Sequence, residues 1–314
     1  MNVQKILAVV ASYNSGDYCV DTLESLHKFS HPDVSILVVD DFSDLLEWQK
    51  ILREINRIHA AGRDIKHWRK DSQEGLTDSW NIALRFARQW RKHPCLINND
   101  VIVADRWDYN LSDALMSNPK AAIVAPMSNQ PGHCPPQYID KILKISKEEM
   151  NDPARIAEFN AALRRKVEGR EVKRWVHHHY VNGFFMLMRL EAVEDVGYFD
   201  PKNRNVGNED EWCRRAHTES PRKWSFVIAQ DTHVFHWKKV TVGNLKAFKS
   251  NIYPRRDGSL LNAEGKVIRK GNGEAVAPAA VSPPDPSLID ELNDIQQVAD
   301  AKKQKLTVEP PPKL

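Results

Sequence analysis

Short, mostly apolar runs alternate along the first half of the chain with stretches whose apolar residues recur at helical spacing, and few folds accept that pattern. Ile6–Ala11 is a continuous apolar run, and Val34–Val39 is apolar except at Ser35, as expected for strands buried on both faces. Between them Cys19, Leu23 and Leu26 fall at i, i+4 and i+7, which is one face of a helix. The pattern repeats. Trp48, Ile51, Leu52, Ile55 and Ile58 mark a second helix, and Ile65–Trp68 a third strand. Leu76, Trp80, Ala83, Leu84 and Ala87 mark a third helix, followed by Cys95–Ile97, Val101–Val103 and Ala121–Ala125. Such alternation predicts an α/β fold: a mostly parallel, Rossmann-like sheet with helices on both faces. In such sheets ligands bind beyond the carboxyl ends of the strands. Asn14, Asp40, Asp41 and the Asn98–Asp100 cluster follow predicted strands, so they are expected to converge on one cleft.

The second half is less regular. Residues 130–176 begin with prolines and end in a basic, helix-prone stretch, which predicts an insertion over the cleft. Val181–Leu190 and Trp224–Ala229 read as strands, and Glu209–Ala216 as a helix. We expect one domain over residues 1–250. Residues 251–314 then form a C-terminal extension, partly disordered: a linker around Pro283–Pro286 and a short helix opened by Ser287–Asp290. Its narrow stripe of Leu288, Leu292, Ile295 and Val298 is a candidate oligomer contact.

Composition narrows the function classes. A net charge of +3 does not mark the chain as a nucleic-acid binder in bulk. Its four cysteines form no C-x-x-C pair, which fits reduced thiols in a cytoplasmic protein. Ile6–Ala11 is too short for a signal-peptide core or a membrane span, and no other stretch qualifies. There is no P-loop, dinucleotide fingerprint or G-x-S-x-G elbow.

The carboxylates carry the chemistry. A lone Asp after a strand is usually a turn or cap residue. Two acidic clusters at neighbouring strand ends, Asp40-Asp41 and Asp100, instead suit a hard cation and a diphosphate. Glu209, Asp210 and Glu211 open a predicted helix, where the macrodipole favours them, and a general base is also at home there. His236 with a carboxylate is a candidate metal ligand; His177–His179, on alternate faces of a strand, suit a surface or acceptor-side role.

Taken in order, these pieces resemble family 2 glycosyltransferases. AVVASYNSGDYCVDTLESL is similar to that family's opening strand and helix, and LVVDDFSD to its nucleotide-binding turn, with Asp41 where Asn is usual. EGLTDSWNIAL resembles its Gly-x-x-x-x-x-Asn helix through Gly75 and Asn81. LINNDVIV is similar to its metal motif, with Asn98 in place of a first Asp, and VAPMSN to the strand that follows. VNGFFMLMRLEAVEDVGYFD, GNEDEWCRRA and DTHVFHWKKVTV resemble its last three segments. The likeness covers about residues 3–245 but not 130–176.

The resemblance implies a GT-A fold and a metal-dependent, inverting transfer of a sugar from a nucleotide-sugar, UDP- or dTDP-type, to an acceptor hydroxyl. Ala11, Tyr13 and Asp40 would line the nucleoside pocket, with Asp41, Gly75, Asn81, Asn98 and Asn99 around the donor. Asp100 and His236 would hold Mn²⁺ or Mg²⁺. Asp210 would be the catalytic base, with Glu209 orienting it. The acceptor is open between glycan, protein and modified nucleic acid. Two alternatives stand beside this: a non-catalytic sugar-nucleotide scaffold, and a protein directed to nucleic acid through Arg164, Arg165, Lys166, Arg170, Lys173 and Arg174.

Overall fold

The computed structural model describes residues 5–237, and beyond them the backbone of three short strands. The first four strands are β1 (Ile6–Ser12), β2 (Ser35–Asp40), β3 (Ile65–Arg69) and β4 (His93–Asn98). The helices between them are α1 (Gly16–Phe29), α2 (Leu45–Ala60) and α3 (Leu76–Trp90). These elements fall where the periodicity places them. All four strands are parallel, with β1 between β2 and β4.

The strands' two faces feed two cores. Leu7, Val9 and Ala11 of β1 join one cluster with Trp80 and Phe86 of α3. Ile6, Ala8 and Val10 join the other, with Leu23 of α1 and Ile51 and Ile55 of α2. Side chains of a strand alternate between faces, so a continuous apolar run can serve helices on both sides at once. Each buried aliphatic side chain contributes roughly 1.5–3 kcal/mol.

The remaining strands make the sheet mixed. After β5 (Val101–Ile102) and α4 (Trp107–Ser117) come β6 (Ala121–Ser128), α5 (Lys147–Met150) and α6 (Ile156–Glu168). They are followed by β7 (Trp175–His178), β8 (Phe185–Met188), α7 (Leu190–Val196), α8 (Asn208–Thr218) and β9 (Ser225–His236). The sheet order is β3-β2-β1-β4-β8-β6-β9-β5, with β7 paired to β9. β8 runs antiparallel to both β4 and β6. Helices α4 and α7 have no counterpart in the sequence reading, nor do three short strands beyond residue 250. Helix α4 has a helical stripe of Trp107, Leu111, Ala114 and Leu115, but no side-chain cap, and its N-cap Arg106 is left-handed with φ 65°. α7 is too short for a periodic signal. β9 runs on beyond Ala229 to His236, past an irregularity in its pairing with β6 between Pro126 and Met127.

The stretch expected over the cleft divides. Pro131, Gly132 and His133 line the cleft, whereas Phe159 and Leu163 of α6 are buried in a sheet-facing core. Asn160 fastens α6 to β9: its amide donates to the His233 carbonyl at 2.9 Å and accepts the His233 N–H at 2.9 Å. The three outlying strands are β10 (Tyr253–Pro254), β11 (Leu260–Leu261) and β12 (Val267–Arg269), paired antiparallel. The linker at 283–286 and the stripe from Leu288 to Val298 lie outside the described residues. No helix among the described residues is long and apolar enough to cross a membrane.

Asn160→Ala leaves both backbone groups of His233 without their partner inside the fold. It should lower the unfolding free energy by about 2 kcal/mol, read by urea denaturation. An unchanged midpoint would show that α6 is an appendage and not part of the core.

Candidate active site

A cavity of about 800 Å³ opens at the carboxyl ends of β1 and β4. Nine of the expected residues line it: Ala11, Tyr13, Asp41, Asn98, Asn99 and Asp100 from the strand ends, Glu209 and Asp210 from α8, and His236 from the end of β9. Asp40, Gly75 and Asn81 are not on its wall.

The two adjacent aspartates after β2 differ in kind. Asp40 is fully buried. Its carboxylate accepts the Ser43 N–H at 3.0 Å, the Ser43 hydroxyl and Arg69 Nε at 3.2 Å. Burial raises its pKa, opposed by the Ser43 and Arg69 bonds. Asp41 reaches the cavity while accepting from the backbone N–H of Glu74 and Gly75, each at 2.8 Å, and from Lys70 Nζ at 2.8 Å. Lys70 is 5% exposed and also meets Asp78 at 2.8 Å. Gly75 starts α3 at φ 99°, and a Cβ there would stand 2.6 Å from the Arg204 side chain and 2.9 Å from its carbonyl. Only glycine suits both the conformation and the gap. Asn81 clamps another strand of chain, donating to the Phe199 carbonyl at 3.0 Å and accepting its N–H at 2.9 Å. Asn99 donates to the hydroxyls of Ser12 and Ser15, bracing the end of β1.

A second corner pairs Asp100 with His236. Val101 sits opposite His236 in the antiparallel β5–β9 register, and the Trp237 N–H donates to the Asp100 carbonyl at 3.0 Å. His236 Nε2 then lies 3.3 Å from Asp100 Oδ1. The other ring nitrogen, Nδ1, is 2.9 Å from the Gln130 carbonyl, which can only accept, so Nδ1 carries a proton. Nε2 therefore presents a lone pair in the neutral ring, the form that ligates metals. Phe184 stacks on the ring at 5.0 Å, and Asn129 clamps the His236 backbone through both amide groups. Two neighbouring ligands of an octahedral cation, each about 2.1 Å from it, stand about 3 Å apart. The Asp100–His236 spacing fits that geometry. Among the described residues no cluster of three or more His, Cys, Asp or Glu surrounds such a point.

The third corner is the first turn of α8. Gly207 precedes it in the left-handed region at φ 74° and turns the chain into the cavity. Glu209 is half-buried and accepts the Gly183 N–H at 3.3 Å. Loss of water raises its pKa, and the adjacent Asp210 raises it further. Asp210 is exposed on the cavity side. Gly183 admits this approach, since a Cβ there would lie 2.8 Å from Trp80 and 3.1 Å from the Glu209 carboxyl carbon.

The sequence profile described as glycosyl transferase family 2 matches residues 7–197. This chain belongs to glycosyl transferase family 2. No curated protein matches the sequence. Among solved structures it is similar to GalNAc-T7 with UDP, GalNAc and Mn²⁺, at 16% identity and a TM-score of 0.55, over 75% of this chain and 44% of that one. It is also similar to the mannosyltransferase PcManGT from Pyrobaculum calidifontis with GDP-Man and Mn²⁺, at 15% identity and a TM-score of 0.52, over 79% of this chain and 61% of that one. The family 2 chain thus spans less than two thirds of either relative. At these identities the likeness shows the fold, which is the GT-A type.

Other candidates of this family 2 chain lie elsewhere. His178 is held by the Tyr180 carbonyl at 2.9 Å and stacks with His179, away from the cavity wall. The basic run is partly neutralised: Arg164 meets Asp105 at 3.5 Å, Lys166 meets Glu171, and Arg174 meets both Asp113 and Asp231. Lys70, Asn129 and Gly183 shape the site, and His133 lies on its wall. Asn129 and Gly183 fall within the VAPMSN and VNGFF motifs, which give them no role. The sequence reading passes over Lys70 and His133, because their partners Asp41 and Asn182 are remote in sequence.

Lys70→Met removes the cation between two carboxylates and leaves Asp41 buried and uncompensated. The loss should be about 3 kcal/mol, measured by chemical denaturation at pH 7. A cost near zero would mean that Asp41 needs no counter-charge there.

Proposed function

We propose that this chain is a metal-dependent, inverting glycosyltransferase that moves a sugar from a nucleoside-diphosphate sugar to an acceptor hydroxyl. One observation carries the reading: a carboxylate–imidazole pair, Asp100 with His236, and an acidic pair, Glu209 with Asp210, line the same cavity. Mn²⁺ and nucleotide or nucleotide-sugar in the two similar structures support it. We assign the transferase domain to residues 1–250 and a UDP- or dTDP-type donor to the pocket beside Ala11, Tyr13 and Asp41. In this reading Asp40, Gly75 and Asn81 act from behind the wall, holding the groups that touch the donor, while Asn99 is on the wall and braces the end of β1.

The chemistry is one displacement. Asp210 takes the proton of the acceptor hydroxyl, and the oxygen attacks the anomeric carbon. The bond from that carbon to the diphosphate oxygen breaks, and the electron pair leaves with the diphosphate. Glu209, fixed by the Gly183 N–H, orients the acceptor and Asp210. When bound at Asp100 and His236, a Mn²⁺ or Mg²⁺ ion supplies charge stabilisation to the departing diphosphate. Attack from the face opposite the leaving group inverts the anomeric configuration. The acidic pair and the Asp100–His236 corner favour catalysis over a binding-only scaffold. The paired arginines on α6 and before β7 weigh against a nucleic-acid surface.

Asp210→Asn keeps the shape and cannot accept the proton. Transfer should fall by about 10² to 10⁴ while donor affinity, by calorimetry, stays near wild type. Glu209→Gln should be milder. The reverse ranking would move the base to Glu209, and a product retaining the donor's anomeric configuration would contradict a single displacement.

A further inference from the structure

The part of the cavity wall made by Pro131, Gly132 and His133 belongs to the stretch that the family resemblance does not cover, and it carries an imidazole on a firmly fixed backbone. His133 is exposed and lines the cavity. Its N–H donates to Asn182 Oδ1 at 2.8 Å, and its carbonyl accepts the Tyr180 hydroxyl. Gly132 beside it is left-handed at φ 90°, where a Cβ would stand 2.7 Å from the Asn182 amide. The Gly132 carbonyl accepts the Tyr138 hydroxyl at 2.9 Å. Asn182 is itself held, since its N–H donates to Gln137 Oε1 at 2.9 Å, and Gln137 Nε2 donates to the Pro126 carbonyl of β6 at 3.1 Å.

A chain of bonds therefore runs from the sheet through Gln137 and Asn182 to the His133 backbone. The imidazole at its end makes no hydrogen bond to any described residue. Fixing a backbone this firmly is of little structural use to an exposed ring, but it serves a ring that must meet a ligand at a set place. The ring and the Glu209 carboxyl line the same cavity. The cavity is also lined by Asn182, Asn205, Tyr180 and Trp80. Amides beside aromatic rings suit the hydroxyls and the apolar faces of a sugar.

We propose that His133 is the acceptor contact of this site, and that its imidazole hydrogen-bonds a hydroxyl of a sugar acceptor held opposite Glu209 and Asp210. The proposal rests on the glycosyl-transfer reading and adds to it an acceptor class and the residue that selects it.

The test compares wild type with His133→Ala and His133→Gln in Mn²⁺. The donor is whichever of UDP-glucose, UDP-galactose, UDP-N-acetylglucosamine, dTDP-glucose and GDP-mannose the wild type hydrolyses, and the acceptors are methyl glycosides of glucose, galactose and mannose. Hydrolysis without acceptor should stay within about twofold in both variants, since only a single neutral hydrogen bond to the acceptor is lost. For the glycoside that stimulates turnover most, His133→Ala should raise the acceptor KM roughly tenfold with kcat little changed. His133→Gln, which keeps a donor and an acceptor atom, should recover most of that loss. An unchanged acceptor KM in His133→Ala, equal loss of hydrolysis and transfer, or no stimulation of wild type by any glycoside would overturn the assignment. Hydrolysis of none of the donors by wild type would contradict the glycosyl-transfer reading itself, and the inference would fall with it.

Discussion

The two-residue pairing of β5 with the end of β9 is the constraint on which the site depends. It sets Val101 against His236 and so brings the carboxylate of Asp100 beside an imidazole from the far end of the domain. Everything nearby serves to hold that meeting. Asn129 clamps the His236 backbone, Gln130 fixes the proton on Nδ1, and Phe184 covers the ring face. Asp100 Oδ1 and His236 Nε2, held 3.3 Å apart, are the pair proposed to hold a cation, and little rearrangement would be needed for both to ligate one.

The acidic residues around the cavity show how burial sorts identical side chains. Asp40 and Asp41 are neighbours in sequence, but strand alternation sends them to different surroundings. Asp40 spends its oxygens on Ser43 and Arg69 and shapes the turn. Asp41 ties the start of α3 to the sheet through Gly75 and is balanced by Lys70. On the opposite wall, Glu209 and Asp210 gain from the N-terminal end of α8, whose unpaired N–H groups favour negative charge. The fold thereby keeps several carboxylates around one cavity without leaving each to repel the rest unaided.

Much of this was legible in the sequence because the physics involved is local. The apolar runs of β1, β2 and β4 and the stripes of α1, α2 and α3 report burial and period directly, and strand-end polar residues then converge by the geometry of parallel sheets. Six of the expected site residues, Ala11, Tyr13, Asp41, Asn98, Asn99 and Asp100, line one cavity for that reason. The illegible parts depend on distant partners. Nothing near Asn81 shows that its amide holds Phe199, or that Lys70 is shared by Asp41 and Asp78. The antiparallel direction of β8 is invisible to periodicity, which is the same for either direction. Helix α6 read as a polar covering because its buried stripe of Ile156, Phe159 and Leu163 is thin among charges.

In the proposed reaction Asp100 and His236 hold the cation that serves the nucleotide diphosphate. The most direct measurement is calorimetric titration of UDP into the full-length chain, with and without Mn²⁺, for wild type and for Asp100→Ala. Binding should depend on Mn²⁺ in wild type and lose that dependence in Asp100→Ala, with the circular dichroism spectrum and unfolding midpoint unchanged. UDP binding that strengthens equally with Mn²⁺ in both proteins would contradict that role.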